Sequence, residues 1–359
     1  MVGRFLGEGD TMKSTMTMDQ FLGEVARRDE AKKDFMVGPR KMFMGLGDDS
    51  ISIEKQGDFG IKDTAHAHIA EKLGIPKKFY DDLPGRVPGL RAHTVNQLLS
   101  VDKAKRLVRT LDGDVRGVLS DRFKPIDNFM VLQSALPVLK EHSGMEVLAS
   151  QLSDSRMYLQ MTFPKLTGEI TVGDAVTAGI TITNSEIGAG AFDVRSFIMR
   201  LRCRNGMVGE SVLRQYHVGR KAGENIEDYD IFADDTIKAD MESFKLRFRD
   251  ILKHSLTQAT FESQLIGLRA TAGQIILPKD IEGAVENVTR KYAFTQGEGK
   301  QILANLWAEK DISRWGLANA VTALVHNSDS ADRQYDIERA GYDLMTLPQA
   351  GWNAIADVA

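Results

Sequence analysis

Residues 106–123, RLVRTLDGDVRGVLSDRF, decide the fold class because they place a tight turn between two runs of apolar residues. The pair Asp112-Gly113 favours the left-handed backbone conformations of a two-residue hairpin turn. Further on, Asp127 is suited to cap a helix whose apolar side chains recur every three or four residues, with Pro137 as a kink inside it. The sequence therefore predicts a β-hairpin followed by a helix.

Alternating apolar residues extend the sheet beyond this helix. Residues 157–163 and 176–182 each place an apolar side chain at every second position, with a turn at Gly173-Asp174 between them, as in half-buried antiparallel strands. After Asp235 the apolar period becomes that of a long amphipathic helix. The predicted fold class is α+β: an antiparallel β-sheet with hairpins and packed helices, followed by a mainly helical C-terminal part.

Length and composition limit the organisation of the chain. At roughly 150 residues per domain, 359 residues correspond to about two domains. We expect a loosely held N-terminal arm over residues 1–50, an α+β core over residues 51–233 and a helical region over residues 234–359. The single cysteine, Cys203, excludes intramolecular disulfides and a cysteine-based zinc cluster. With no apolar run of signal-peptide or membrane-spanning length, the expected location is the cytoplasm of a bacterial host cell.

Basic residues concentrate in one part of an otherwise acidic chain. The net charge is −4, which argues against coating a polyanion with the whole surface. Residues 195–221 nevertheless hold seven basic side chains against one acidic, a local net charge of +6. If the stretch SFIMRLRCRNGMV is a strand, Arg200, Arg202 and Arg204 point outward about 6.6 Å apart and repel one another unless an anion lies along them. A phosphate backbone is such an anion.

Residues 224–242 carry a local net charge of −7, so neutralisation within the chain or between subunits is the alternative interpretation. On the long helix, three basic residues at i, i+4 and i+8 form a further stripe. Because aromatic residues are sparse around the basic stretch, phosphate contacts are favoured over base recognition. The predicted nucleic-acid-binding residues are Arg195, Arg200, Arg202, Arg204, Arg214, Arg220, Lys221, Lys245, Arg249 and Lys253.

Recognised catalytic motifs are missing, so no catalytic residue, cofactor or metal site is predicted. His66 and His68, at i and i+2, point about 200° apart on a helix and cannot easily share one ion. Four aspartates leave a magnesium-dependent nuclease open as an alternative, although turn and capping roles explain two of them. These aspartates are Asp112, Asp114, Asp121 and Asp127.

Five phrases resemble a phage- and plasmid-related family known only as a domain of unknown function (number 932). They are GIPKKFYD, LVRTLDGDVRGVLSDRFKPIDN, GDAVTAGITITNSEIGAGAFDV, LRCRNGMV and WGLANAVTALVH, and the resemblance extends from about Thr64 to the C-terminus. It implies a mobile-element context of replication or recombination and supplies no catalytic residue. The predicted β-β-α-β order is also remotely similar to Rad52-like and phage-recombinase single-strand annealing proteins.

Together these observations predict a non-catalytic, homo-oligomeric protein that binds DNA, preferably single-stranded, in recombination or replication. An oligomeric assembly protein without DNA affinity is the alternative, and the nuclease is a third.

Overall fold

The computed structural model describes residues 16–215, 234–277, 280–328 and 331–356. Its helices and strands divide between two sheets and a helical C-terminal part, as the α+β prediction requires. The N-terminal part contains α1 (Met18–Ala31), α2 (Asp63–Lys72), α3 (Lys77–Arg86), α4 (Leu90–Val101) and six strands, β1 (Lys33–Val37), β2 (Met42–Met44), β3 (Ser50–Ile53), β4 (Gly57–Ile61), β5 (Arg106–Leu111) and β6 (Asp114–Ser120).

The six N-terminal strands form one mixed sheet in the order β1-β5-β6-β4-β3-β2, in which only the described pair β4–β6 is parallel. The predicted turn at Asp112-Gly113 is confirmed, because both residues have a positive φ and join β5 to β6. The expectation of a loosely held arm is wrong for residues 16–50. α1 begins with a capping box between Thr17 and Gln20, and β1 pairs with β5 over five residues.

The second sheet is antiparallel throughout its described strands, in the order β11-β10-β9-β8-β7. The predicted helix α5 precedes it, with Pro137 inside it and Asp127 at the N-cap position. Asp127 does not cap the helix as predicted, because its carboxylate pairs with Arg109 and Lys32 and the first helical amide, Asn128, donates to Glu186 instead. The elements of this part are α5 (Asn128–Glu141), β7 (Glu146–Leu152), β8 (Met157–Glu169), β9 (Ala175–Asn184), β10 (Phe192–Arg200) and β11 (Gly206–Gln215).

One face of the second sheet is apolar and is covered by helices α1 and α5 and by the long amphipathic helix predicted from the sequence. The apolar alternation of β8 and β9 lies on this face, as expected, and Phe192 packs there against Phe248. The strands are nevertheless not half-buried. Gln160, Thr162 and Thr181 point to the opposite face and are also buried, so this sheet has a covered polar face as well.

The C-terminal part is helical over its described residues. Its core packs against one end of the second sheet, and Trp315 is among its fully buried side chains. The helices are α6 (Asp234–Ser255), α7 (Gln258–Ala272), α8 (Ile281–Lys291), α9 (Gln296–Glu309), α10 (Arg314–Thr322), α11 (Ala331–Thr346) and α12 (Gln349–Ala356).

Two histidines of α2 are partly buried, each in its own surroundings. The Nδ1 atom of His66 lies 2.7 Å from the Tyr80 hydroxyl, whereas that of His68 accepts the Val118 amide at 3.3 Å. Burial lowers the pKa of His66 to about 4 and also lowers the pKa of His68. Both side chains therefore favour the neutral ring in the folded protein.

We expect the urea midpoint of unfolding to fall as the pH decreases from about 6.5 toward 4. Over this window the unfolded chain, with histidine pKa values of about 6.5, binds more protons than the folded chain. The His66→Gln variant, which keeps a polar group beside Tyr80, should lose less stability between pH 7 and pH 5 than the wild-type protein. An equal loss in the two proteins would contradict the neutral, buried state of His66.

Candidate functional site

The arginine-rich strand predicted from the sequence is shorter than expected. β10 ends at Arg200, and residues 201–205 form a turn in which Arg204 has a φ of 56°. Arg200, Arg202 and Arg204 therefore do not share one face of a strand, and that prediction is wrong. Arg202 and Arg204 are exposed in the turn, while every residue of β10 is buried. β10 lies inside the sheet and is covered on both faces, so its side chains do not alternate between buried and exposed as expected.

Arg200 is part of a buried ion-pair network. Its side chain is 5% exposed and donates to Asp174 at 2.8 Å and to Glu309 at 3.1 Å. The Trp315 indole also donates to Asp174, at 2.8 Å. Burial alone would lower the pKa of Arg200, but the hydrogen bond that it donates to Asp174 and the nearby negative charges together outweigh burial, so the pKa is raised. The Arg200 guanidinium is therefore charged, and two carboxylates of the same chain already pair with it.

The remaining predicted residues lie in separate places. On α6, Lys245, Arg249 and Lys253 each have a carboxylate within 3.3 Å, from Glu242, Asp250 and Glu141 respectively. Arg220 and Lys221 lie outside the described residues. The eight described members thus do not form one continuous ribbon, and only Arg195 and Arg214 come together, at a cleft.

This cleft has a volume of about 710 Å³ and lies between the second sheet and α11. We call it the arginine cleft. It collects four arginines, three aspartates and two tyrosines from three strands, a loop and one helix. They are Arg156, Arg195, Arg214, Arg339, Asp193, Asp332, Asp336, Tyr158 and Tyr335.

One wall of the arginine cleft is a single face of α11. Asp332, Tyr335, Asp336 and Arg339 stand at i, i+3, i+4 and i+7, the spacing that brings side chains to one side of a helix. Sequence reasoning missed these residues because they lie more than 110 positions from the basic stretch. The available signal was the residue spacing, which places an aromatic residue among charged residues on one face of a helix.

The floor of the cleft is the polar face of the sheet. The Tyr158 hydroxyl donates to Glu338 at 3.2 Å, and the Gln160 amide donates to the same oxygen at 2.9 Å. Burial, reinforced by the Glu338 carboxylate, raises the pKa of Tyr158 well above its usual value. The Tyr158 and Tyr335 rings meet edge-on, with centroids 6.1 Å apart. These contacts fix the floor and the helical wall relative to each other.

The mouth of the cleft is bridged by Arg156. Its guanidinium lies 2.7 Å from Asp332 of α11 and donates at 2.6 Å to the Ala189 carbonyl, in the loop that joins β9 to β10. The same loop is tied to the first sheet, because Glu186 pairs with Arg116 at 2.7 Å and its carbonyl accepts from Arg109 at 2.6 Å. The loop thus connects the cleft to the N-terminal part.

The cations of the cleft differ in how far carboxylates neutralise them. Arg195 is 8% exposed and donates to Asp193 at 2.8 Å and to the Gly209 carbonyl at 3.1 Å. Arg339 has no carboxylate within 4 Å among the described residues, and its guanidinium lies 5.9 Å from the centroid of the Tyr335 ring. Arg214 is exposed at the cleft. Arg339 is therefore the cation least neutralised by described carboxylates, and Arg214 adds an exposed positive charge on the facing strand.

The charges of the cleft also act on the pKa of Tyr335. Burial raises the pKa of its phenol, whereas the positive charges of Arg195, Arg339 and Arg214 act in the opposite direction and Asp193 acts with burial. The tyrosine is thus a neutral aromatic surface surrounded by guanidiniums.

The four aspartates of the nuclease alternative are dispersed and are mostly paired with cations. Asp112 pairs with Arg27 at 2.7 Å, Asp114 pairs with Lys62 at 3.0 Å, and Asp121 is exposed. Asp127 accepts from Arg109 at 2.7 Å and pairs with Lys32 at 2.6 Å; burial would raise its pKa, but these two cations lower it. Across the described residues, no group of three or more His, Cys, Asp or Glu side chains is placed to hold a metal ion.

The described helices include none long and apolar enough to cross a membrane. Residues 115–342, well over half of the chain, match the family described as Domain of unknown function (DUF932), and the chain belongs to that family. Comparisons with curated proteins and with solved structures gave no match. The matched residues include the part of the second sheet that forms the floor of the arginine cleft and the face of α11 that lines it.

Proposed function

We propose that the protein binds single-stranded DNA through the arginine cleft and acts without catalysis in the recombination or replication of a mobile element. The observation that carries this proposal is the convergence of Arg156, Arg214 and Arg339 beside Tyr335 on an acidic protein. Proteins that bind single strands without sequence preference combine cations along the backbone with aromatic side chains for the bases. A concave site of this kind admits a flexible single strand more readily than a rigid duplex.

The proposal differs from the prediction made on the sequence in where the DNA lies. Arg200 is withdrawn from the set of phosphate contacts because Asp174 and Glu309 occupy it. Arg214 stays in the set, and Arg339 joins it. Arg156 joins it as well, because its side chain is 42% exposed despite its pair with Asp332, whereas that of Arg200 is 5% exposed. Arg202 and Arg204 are left out of the set, because their turn follows the end of β10 that is opposite to Asp193 and does not line the cleft.

Two finer parts of the proposal rest on the resemblance noted in the sequence. A mobile-element context follows from the phage- and plasmid-related phrases, and strand annealing follows from the similarity of element order to Rad52-like and phage-recombinase proteins. Homo-oligomerisation belongs to the same proposal. Light scattering at low and high salt, with and without single-stranded DNA, tests it.

Salt dependence tests the proposed phosphate contacts. If three phosphates are neutralised, the affinity for a labelled single-stranded oligonucleotide should fall roughly twentyfold between 50 and 200 mM salt. Fluorescence anisotropy measures this directly. An affinity that does not change with salt, or the absence of any binding at 50 mM salt, would refute the proposed function.

A further inference from the structure

The arginine cleft combines features that a phosphate backbone alone does not require. Besides its arginines it presents Asp193, Asp332 and Asp336. Asp193 and Asp332 are paired with arginines, whereas Asp336 is exposed and has no cation within 4 Å among the described residues. A carboxylate repels phosphate but accepts hydrogen bonds from the amino and imino groups of a nucleobase. The charges of the cleft therefore suit a ligand with an anionic end and an N–H-bearing end.

The aromatic wall suits the same ligand. Tyr335 lines the cleft and is half-buried, its ring is held edge-on by Tyr158, and the guanidinium of Arg339 lies 5.9 Å from its centroid. Unstacked bases pack on aromatic rings and on guanidinium planes. Tyr158 is itself fixed by its hydrogen bond to Glu338, so the platform is held in place before any ligand arrives.

The size of the cleft sets the length of strand it can hold. Its volume of about 710 Å³ falls within the range of about 300 to 1,000 Å³ that is typical of small-molecule sites. The Arg156 bridge to Asp332 closes one side of its mouth. The cleft is thus a pocket for one or two nucleotides and not a long channel.

We propose that one unstacked nucleotide of a bound single strand enters the arginine cleft, with its base on Tyr335 and its phosphate on Arg214 and Arg339. This inference rests on the proposed function and adds to it the recognition of a base. It also departs from the expectation, drawn from the scarcity of aromatic residues near the basic stretch, that phosphate contacts are favoured over base recognition. The aromatic surface comes from α11, far along the chain.

The test compares a tyrosine variant on two ligands. Tyr335→Ala should weaken binding of oligodeoxythymidine roughly tenfold, while Tyr335→Phe, which keeps the ring, should bind within about twofold of the wild-type protein. On an oligonucleotide of the same backbone that lacks bases, Tyr335→Ala should have no effect. Circular dichroism and the urea midpoint establish that each variant is folded.

Phe79 of α3 provides a matched control. It is exposed and Arg86 lies 5.8 Å from its ring centroid, so it reproduces the arginine–aromatic arrangement outside the cleft. Phe79→Ala should leave the binding of both oligonucleotides unchanged. A tenfold loss in this variant would show that the effect is not specific to the cleft and would overturn the inference.

Other outcomes separate the inference from the proposed function. If Tyr335→Ala weakens binding of the base-free and the intact oligonucleotide equally, or of neither, the base lies outside the cleft and only the inference fails. If thymidine monophosphate binds as tightly as the oligonucleotide, the cleft is a site for a free nucleotide and the assignment to a strand is wrong. If the wild-type protein binds no single-stranded DNA at 50 mM salt, the proposed function fails as well.

Discussion

Replacing Arg214 and Arg339 together by alanine is expected to weaken the binding of single-stranded DNA on the order of a hundredfold. A hydrogen bond to a charged group contributes about 1.5 kcal/mol, so two such contacts contribute about 3 kcal/mol, and about 1.4 kcal/mol corresponds to a tenfold change in affinity. Both residues line the arginine cleft from opposite sides, one on β11 and one on α11. Anisotropy titrations at constant salt measure the loss.

The salt dependence of DNA binding by this double variant provides an independent test of the two phosphate contacts. With about one phosphate contact left, its affinity should fall only about threefold between 50 and 200 mM salt, compared with roughly twentyfold for the wild-type protein. A variant that removes Arg86 and Arg290 is the control, because it deletes the same charge from helices α3 and α8 outside the cleft. Equal losses in the two double variants would mean that net charge, and not the cleft, governs binding.

Replacing Arg200 by alanine is expected to destabilise the fold by about 3 kcal/mol or more. Removing one partner of a buried ion pair leaves the other charge uncompensated, which typically costs about 3 to 5 kcal/mol. Here the group left behind is Asp174, buried beside Trp315. Urea unfolding followed by tryptophan fluorescence measures the change, since Trp315 reports on this site.

Arg202 is the matched control for this substitution. It lies two residues further along, is exposed in the turn, and was predicted from the sequence to play the same role as Arg200. Arg202→Ala should change stability by about 0.5 kcal/mol at most. A stable Arg200→Ala variant that loses DNA affinity would instead support the sequence-based assignment of Arg200 to the DNA contact and contradict the structural role described for it.

Local signals in the sequence predict much of this fold. The Asp112-Gly113 hairpin and the apolar periodicity of helices α5 and α6 are local patterns, and the structure contains all three elements. The prediction of a loosely held arm failed over residues 16–50 because the strand pairing that holds this segment is distant in the chain. β1 pairs with β5, which is about 70 residues away, and no short-range periodicity in the sequence indicates that pairing.

The charges of β10 show why the site was harder to predict. Alternation gives the direction of a side chain but not what covers that face, and the carboxylates that meet Arg200 lie 26 and 109 residues away. The arginine cleft is even less local, since Tyr158 and Glu338 are separated by 180 residues. Charge density along the chain grouped Arg195 and Arg214 with eight other basic residues, and these two line the cleft. It could not reveal the wall that α11 adds.

The loop that joins β9 to β10 connects the arginine cleft to the first sheet. The loop that accepts Arg156 at Ala189 also carries Glu186, whose side chain and carbonyl meet Arg116 and Arg109 of the first sheet. Arg109 in turn pairs with Asp34 of β1 at 2.9 Å. A set of ion pairs and hydrogen bonds therefore links the N-terminal strands to the mouth of the cleft.

Hydrogen–deuterium exchange with and without a single-stranded oligonucleotide most directly tests whether DNA occupies the cleft. We predict slower exchange in the presence of DNA for residues 153–158 and for the first turns of α11, which form the mouth and one wall. Slowed exchange restricted to the turn at residues 201–205 or to α6, with the cleft unchanged, would place the DNA elsewhere and contradict this account.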